Sequence, residues 1–385
     1  EARPLGVAVA DLDGDGTLDL LVPAGGSEGE TLILRGRPDG GLKADPKHPL
    51  SGIVAVNAAL WGDYDNDGLV DVYLARRGPN QLRRQVSPGA WEDVTAATGT
   101  AAGDTDTVDG AFLDADHDGD LDLFLVNADG PNELLNNNLD GTFRPLAAAR
   151  GIAGPPAGGG GGRQVLPVDL DADRDTDLIV IGANPPHQAW LNDRLWTYRP
   201  AGGLEDLLKS PIAAALAADL DADGAVELYS LDPDGSLKRW RRDASGAFRA
   251  EDLALLGAAA RAPWAQLASA DLDGDGTLDL IASGPWGWDA FTAEGRQLAA
   301  GENEIAERNL LIHTTSDQTL IHSFIPAAQE DRALRCRQFA NPAMTQRLAL
   351  RRKVDHFPVA SPRILRSGYR FLERCRHHHH PRTTA

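Results

Sequence analysis

Asp11-Leu-Asp-Gly-Asp-Gly-Thr-Leu-Asp19 decides the reading of this chain, because the same acidic nine-residue string returns five more times. The copies are DYDNDGLVD at 63–71, DADHDGDLD at 114–122, DLDADRDTD at 169–177, DLDADGAVE at 219–227 and DLDGDGTLD at 271–279. Their starts, at 11, 63, 114, 169, 219 and 271, lie 50 to 55 residues apart. So regular a period marks one structural unit repeated along the chain.

Outward from each copy the sequence turns apolar. Val7–Ala10 leads into the first copy and Leu20–Val22 leaves it; Ala59–Trp61 and Val72–Leu74 flank the second; Phe124–Val126 and Ile179–Ile181 follow the third and fourth. Short runs of β-branched and aromatic residues read as strands, which makes the acidic string a loop between two strands. Further on, Asn132–Asn136 and Ser236–Trp240 alternate as strands do. Small turns such as Asp140-Gly-Thr-Phe143 and Ser245-Gly-Ala-Phe248 close a second hairpin. Four strands per period predict an all-β chain: a β-propeller of six to seven four-stranded blades, with the acidic loop between the first two strands of each repeat. Repeats are expected near 5–52, 53–106, 107–160, 161–211, 212–262 and 263–300. An open array of small β modules is the competing architecture. Helical repeats lack their 3.6-residue period here, and a β-helix of the RTX type needs a nine-residue one.

The chemistry follows from spacing. In an extended segment positions 1, 3 and 5 share a side. Glycine at position 6 lets the chain turn, bringing the carbonyl or carboxylate at 7 and the carboxylate at 9 back to the same point. The expected ligands are Asp11, Asp13, Asp15, Thr17 and Asp19 in the first loop, and Asp63, Asp65, Asp67, Leu69 and Asp71 in the second. The third offers Asp114, Asp116, Asp118, Asp120 and Asp122, and the fourth Asp169, Asp171, Asp173, Asp175 and Asp177. The fifth offers Asp219, Asp221, Asp223, Ala225 and Glu227, and the sixth Asp271, Asp273, Asp275, Thr277 and Asp279. Thr17, Leu69, Ala225 and Thr277 would contribute carbonyl oxygens. An all-oxygen cage with flexible geometry suits Ca²⁺ better than Mg²⁺. Up to six ions are expected, the 169–177 site being the weakest. There Arg174 stands where glycine should, straining a positive φ and setting a guanidinium beside the cage. An EF-hand is excluded, since its twelfth position would be Val22. The bland alternative is a set of acidic turns that hold no metal.

Net charge agrees with unfilled ligands. Lys and Arg number 37 against 57 Asp and Glu, a formal −20, and 26 of those acids sit in the six loops. Six Ca²⁺ would bring −20 to −8. The acidity argues against a nucleic-acid partner. No apolar run approaches the ~18 residues of a membrane span, and two cysteines make no disulfide scaffold. Because millimolar Ca²⁺ is met outside cells, the expected location is extracellular, on the cell surface or in the periplasm.

The D-x-D-x-D-G-x-x-D loop between apolar strands, with the stretch Asn132 to Phe143, resembles the FG-GAP/VCBS repeat over roughly residues 4–300. That resemblance implies an integrin α-like calcium-binding propeller, in which cations brace the blades and ligands bind on other loops. The second and third units also resemble the cartilage-acidic-protein-like group, which pairs such repeats with an ASPIC/UnbV domain. The implied function is a protein- or glycan-binding or adhesion scaffold for an unknown extracellular protein or polysaccharide. The alternative is a propeller-fold hydrolase or lyase with a site in the central channel. The repeats carry neither G-x-S-x-G nor H-E-x-x-H, and His48, His117 and His187 are scattered, so no catalytic residue is singled out.

Past residue 300 the composition changes. Residues 301–385 hold 14 Lys/Arg against 8 Asp/Glu, seven of the ten His and both cysteines, Cys336 and Cys375. This basic tail is expected to be disordered, or to be a degenerate last blade with strands at Leu310–Ile312 and Thr319–Ile321. Cys336 and Cys375 could pair, and His377–His380 could take a transition metal. Gly154–Gly162 reads as a flexible loop. Trp190, Trp196 and Trp240 read as core, whereas Trp286 and Trp288 read as loop aromatics able to stack on a sugar. A start at Glu1, with Met344 the one methionine, is expected of a processed product or a fragment.

Overall fold

Each period folds into four antiparallel strands paired in chain order. The computed structural model describes residues 7–24, 26–154, 161–256, 265–284 and 287–302, and the backbone of 310–315 and 318–323. Blade 1 comprises β1 (Ala8–Ala10), β2 (Asp19–Val22), β3 (Leu32–Gly36) and β4 (Leu42–Ala44). Blade 2 comprises β5 (Val56–Gly62), β6 (Asp71–Arg76), β7 (Gln81–Ser87) and β8 (Ala90–Asp93). Blade 3 has β9 (Thr107–Leu113), β10 (Asp122–Asn127), β11 (Glu133–Asn137) and β12 (Phe143–Pro145). Blade 4 has β13 (Gly162–Val168), β14 (Asp177–Gly182), β15 (Gln188–Asn192) and β16 (Tyr198–Pro200). Blade 5 has β17 (Ala214–Ala218), β18 (Glu227–Leu231), β19 (Ser236–Arg242) and β20 (Phe248–Leu255). Blade 6 has β21 (Gln266–Ala270), β22 (Asp279–Gly284), β23 (Gly287–Phe291) and β24 (Gln297–Glu302).

The first strands β1, β5, β9, β13, β17 and β21 neighbour one another in that order, so the six blades form a β-propeller. The second strands explain the continuous apolar runs in the sequence. In β10, Leu123 and Leu125 pack on blade 2 with Leu60 and Tyr73, while Phe124 and Val126 face blade 4 with Val165 and Val180. In β14, Leu178 and Val180 face blade 3, and Ile179 and Ile181 meet Leu228 and Trp240 of blade 5. A strand alternates its side chains between two faces. Here both faces meet a neighbouring blade, so every position is buried and the four central ones are apolar. The core is thus a series of layers between blades. The short fourth strands β8, β12 and β16 sit at the rim and expose much of their length, a common way to blunt a sheet edge.

Two expectations need correction or extension. Trp288 is not a loop aromatic open to sugar. It lies in β23, buried with Ile281 and Ala290, its indole filling the space where a Cβ at Gly301 would stand. Trp286 lies outside the described residues. Trp190 and Trp240 are core, as expected, and Trp196 is half-buried against the layer between blades 3 and 4. Three one-turn helices follow the fourth strands of blades 2, 3 and 4: α1 (Thr95–Thr98), α2 (Ala147–Arg150) and α3 (Glu205–Lys209). One turn is too short to show a helical period. The trace they leave is Gly99 and Gly151, in left-handed C-caps after Thr98 and Arg150.

In the tail, β25 (Leu310–Thr315) and β26 (Gln318–Ser323) pair as an antiparallel hairpin where the two strands were expected. Cys336, Cys375 and His377–His380 lie outside the described residues, as do 155–160 of the glycine-rich stretch.

Leu74 is fully buried between blades 1 and 2, and Leu139 is 69% exposed on a hairpin tip. Leu74→Ala is expected to destabilise the fold by about 2–5 kcal/mol and Leu139→Ala by less than about 0.5, read from urea midpoints.

Candidate metal centres

All six acidic loops share one backbone path. The residue at position 6 has positive φ in every copy: Gly16, Gly68, Gly119, Gly224 and Gly276, and also Arg174 at 78°. So does the residue at position 4: Gly14, Asn66, His117, Ala172, Ala222 and Gly274. The loops are therefore doubly kinked turns, not the extended segment the spacing argument assumed. The kinks, rather than a strand-like alternation, bring the carboxylates together. Glycine at 14 and 274 and Asn66 were the available signals for the second kink, since these residues visit this region most readily. Arg174 adopts the required conformation despite its side chain, and pays the strain expected of it.

Two hydrogen bonds fix this path in each loop. The position-1 carboxylate accepts the position-6 amide, as in Gly16 N–H to Asp11 Oδ2 at 2.9 Å and Arg174 N–H to Asp169 Oδ2 at 3.0 Å. The same bond recurs at Asp63, Asp114, Asp219 and Asp271. The position-5 carboxylate accepts the position-7 amide: Thr17 to Asp15, Leu69 to Asp67, Asp120 to Asp118, Asp175 to Asp173, Ala225 to Asp223 and Thr277 to Asp275.

Position 9 does something the sequence did not announce. Its carboxylate is buried at the start of the second strand and, in the first four loops, accepts two backbone amides. One comes from position 2 of its own loop and one from the end of the third strand. Asp19 takes Leu12 and Gly36 at 3.1 and 2.7 Å. Asp71 takes Tyr64 and Gln85 at 3.2 and 2.8 Å, and Asp122 takes Ala115 and Asn137 at 3.1 and 2.8 Å. Asp177 takes Leu170 and Asn192, both at 2.7 Å. Asp279 accepts Leu272 at 2.8 Å. Glu227 is bonded to the Leu220 amide.

The third-strand residue then reaches backward with its side chain. Gln85 Nε2 donates to the Leu12 carbonyl of blade 1 at 2.7 Å, and Asn137 Nδ2 donates to the Tyr64 carbonyl of blade 2 at 2.8 Å. Asn192 Nδ2 donates to the Ala115 carbonyl of blade 3 at 2.9 Å, and Arg242 donates to the Leu170 carbonyl of blade 4. In blade 1 the equivalent residue is Gly36, where a Cβ would stand 2.4 Å from the Leu18 carbonyl oxygen. In the first four loops the position-2 residue thus ties its loop to the next blade, its N–H held by position 9 and its carbonyl by the incoming side chain. Neighbouring loops also touch directly. Asn66 Nδ2 donates to Asp120 Oδ1 at 2.9 Å, and His117 Nδ1 lies 3.2 Å from Asp175 Oδ1. The side chains of Asp120 and Asp175 are accordingly engaged between loops, with Arg194 Nε also donating to Asp175 at 3.0 Å.

The carboxylates gather as a cation site requires. Oxygens of Asp11, Asp13 and Asp15 lie within 4.8 Å of one another. So do those of Asp63, Asp65 and Asp71; Asp114, Asp116 and Asp118; Asp169, Asp171 and Asp177; and Asp219, Asp221 and Glu227. Among the described residues, Asp13 Oδ1, Asp169 Oδ1, Asp171 Oδ1 and Asp221 Oδ1 are buried with no hydrogen-bond donor. A buried carboxylate oxygen cannot donate, and leaving it unpaired is costly. Three of these four are position 3, the residue at the centre of each cage. The donor set is oxygen throughout and fits a hard cation.

Electrostatics carry the same message. Burial pushes the carboxyls of Asp71, Asp122 and Asp177 up to about 7, against the pull of their backbone donors, and that of Asp279 up to about 6. Asp116 rises to about 6 through burial and the charge of Asp118. Arginines answer part of the negative charge. Arg35 pairs with Asp13, Arg84 with Asp65 and Asp67 at 2.5 and 2.8 Å, Arg199 with Asp171 at 3.4 Å, and Arg241 with Asp221.

Fold and loop together define a class, a β-propeller with an acidic loop in each blade, and FG-GAP-like repeats match residues 63–125, 114–180 and 219–282. Among individual proteins the chain is similar to cartilage acidic protein 1. It is 31% identical to the Homo sapiens protein over 111 residues, covering 28% of this chain and 16% of that one. It is 30% identical to the Xenopus tropicalis protein over 176 residues, covering 42% of this chain and 26% of that one. The matches therefore span only a small part of those relatives. The fold is also that of an Agrocybe aegerita lectin that recognises non-reducing terminal N-acetylglucosamine, with TM-score 0.50, 16% identity, and coverage of 78% of this chain and 80% of that one.

In chelator, the raised carboxyls make stability depend on pH. A carboxyl whose folded pKa exceeds its ordinary value of ~3.9 binds more protons folded than unfolded, so its contribution is present at low pH and lost as pH rises. The melting temperature in EDTA is expected to fall between pH ~4 and ~7, following Asp71, Asp122 and Asp177. Calorimetry showing a flat or rising trend there would contradict this electrostatic account.

Proposed function

We propose that the chain is a Ca²⁺-stabilised propeller that presents its surface to a protein or glycan outside the cell. The observation that carries the reading is the set of buried, donor-less oxygens of Asp13, Asp171 and Asp221 at the centre of repeated carboxylate cages. The carboxylates at positions 1 and 3 would hold the ion, joined by position 5 at Asp15 and Asp118 and by position 9 at Asp71, Asp177 and Glu227. Bound there, Ca²⁺ supplies the positive charge that the crowded carboxylates lack.

The chain's own residues convert that local gain into a global one. In the first four loops position 9 joins the loop to the third strand, and Gln85, Asn137, Asn192 and Arg242 join the third strand of their blade to the preceding loop. A loop held in its cage geometry thus holds the neighbouring blade. The FG-GAP-like repeats support the same reading. Oxygen-cage modules outside cells bind Ca²⁺ with Kd of about 10⁻⁴–10⁻³ M, which is the basis for placing the protein there. No helix among the described residues is long and apolar enough to cross a membrane.

Ca²⁺ at ten times Kd stabilises the fold by about 1.4 kcal/mol for each filled site. Adding EGTA to the Ca²⁺-loaded protein is expected to lower its melting temperature, with Mg²⁺ restoring it poorly. A melting curve indifferent to EGTA would remove the cation from this account.

Leu12, Tyr64, Ala115 and Leu170 receive the side-chain bonds between blades, so these bonds can be tested apart from the metal. Asn137→Leu, which strips the buried donor from the Tyr64 carbonyl, is expected to cost about 1–3 kcal/mol in urea unfolding, in EGTA as well as in Ca²⁺.

A further inference from the structure

The arginines near the cages are not scattered. Strand register sets an equivalent position in each blade, next to the residue that bonds position 9: Arg35, Arg84, Asn136, Leu191, Arg241 and Thr292. Wherever that residue is arginine, it pairs with the position-3 carboxylate of its own loop: Arg35 with Asp13, Arg84 with Asp65, Arg241 with Asp221. Each also reaches a second cage carboxylate. Arg35 lies 3.7 Å from Asp19, Arg84 2.8 Å from Asp67, and Arg241 3.4 Å from Glu227. The guanidinium therefore sits between two of the groups that would surround an ion.

Blade 4 reaches the same end by another route. Leu191 holds the equivalent position, and Arg199 of the fourth strand pairs with Asp171 while Arg194 pairs with Asp175. Loops 114–122 and 271–279 differ. Among the described residues, no basic side chain forms an ion pair with a carboxylate of either; Arg296 acts on Asp275 only through space. Asn136 and Thr292 are neutral, so no cation at this strand position offsets the carboxylates of these two cages.

We propose that the six loops are of two kinds: 114–122 and 271–279 are the tight Ca²⁺ sites, and in the other four a resident arginine competes with the ion. The inference rests on the Ca²⁺ reading above. Its physical basis is that affinity in oxygen cages follows the count of ligand charges, and a fixed positive charge within a few ångströms subtracts from that count. It also changes the ranking drawn from sequence. The 169–177 loop is weak, but loops 11–19, 63–71 and 219–227, whose acidic pattern is intact or nearly so, are weak as well.

Equilibrium dialysis of the chelator-stripped full chain against radiolabelled Ca²⁺ tests this. The unaltered chain is expected to take up two ions tightly, one for each arginine-free loop. The triple variant Arg35→Met, Arg84→Met, Arg241→Met is expected to take up five. Thr292→Arg installs the arginine at the equivalent place in blade 6 and is expected to remove one tight ion. It carries the question alone if the triple variant does not fold. Uptake into every loop with one affinity, an unchanged count in the triple variant, or an unchanged count in Thr292→Arg would overturn the proposal. Absence of Ca²⁺ uptake by every chain would instead overturn the calcium reading on which it rests.

Discussion

A buried carboxylate that accepts two backbone amides is the constraint on which this structure depends. Asp19, Asp71, Asp122 and Asp177 each hold the start of their own loop with one oxygen and the end of their own third strand with the other. The residue bound on the loop side offers its own carbonyl to the next blade. The result is an alternating sequence of carboxylate, peptide and amide side chain that runs from blade 1 to blade 5. Apolar layers supply most of the burial between blades, but they are tolerant of small slips. Directional bonds of this kind fix which strand end meets which loop.

The same carboxylate explains why loop, blade and charge cannot be treated separately. It is buried because the third strand folds over it, and burial raises its protonation tendency. Its neighbours at positions 1, 3 and 5 add like charge at short range. Three sources of relief exist: protons, arginines within the fold, and a divalent ion from outside. Where an arginine serves a loop, strand pairing brings it there: from the third strand in blades 1, 2 and 5, and from Arg194 and Arg199 in blade 4.

Much of the fold was legible in the sequence. Six copies of the acidic string at a steady period, bracketed by apolar runs, require repeated hairpins. The fully apolar second strands Val72–Leu74, Phe124–Val126 and Ile179–Ile181 record burial on both faces. The cage was legible in composition but not in conformation. The kink at position 4 is carried by Ala172, Ala222 and His117 as well as by glycine, so residue type alone conceals it. Position 9 was read as a ligand because it is acidic. One of its two backbone donors comes from a residue about fifteen places away, which spacing within the motif cannot reveal. The arginines were hidden for the same reason: strand pairing, not sequence proximity, brings Arg84 beside Asp65. Trp288 looked exposed because its flanking glycine and proline suggest a loop, whereas Gly287 opens a strand and the indole lies over Gly301.

The bonds that join successive blades end on main-chain carbonyl oxygens, those of Leu12, Tyr64, Ala115 and Leu170. Every amino acid supplies that acceptor, so the receiving blade needs no matching side chain. A blade duplicated, deleted or exchanged during evolution would find its docking partner already in place, provided it brought its own amide or guanidinium. Growth of such a ring by tandem gene duplication is therefore chemically undemanding.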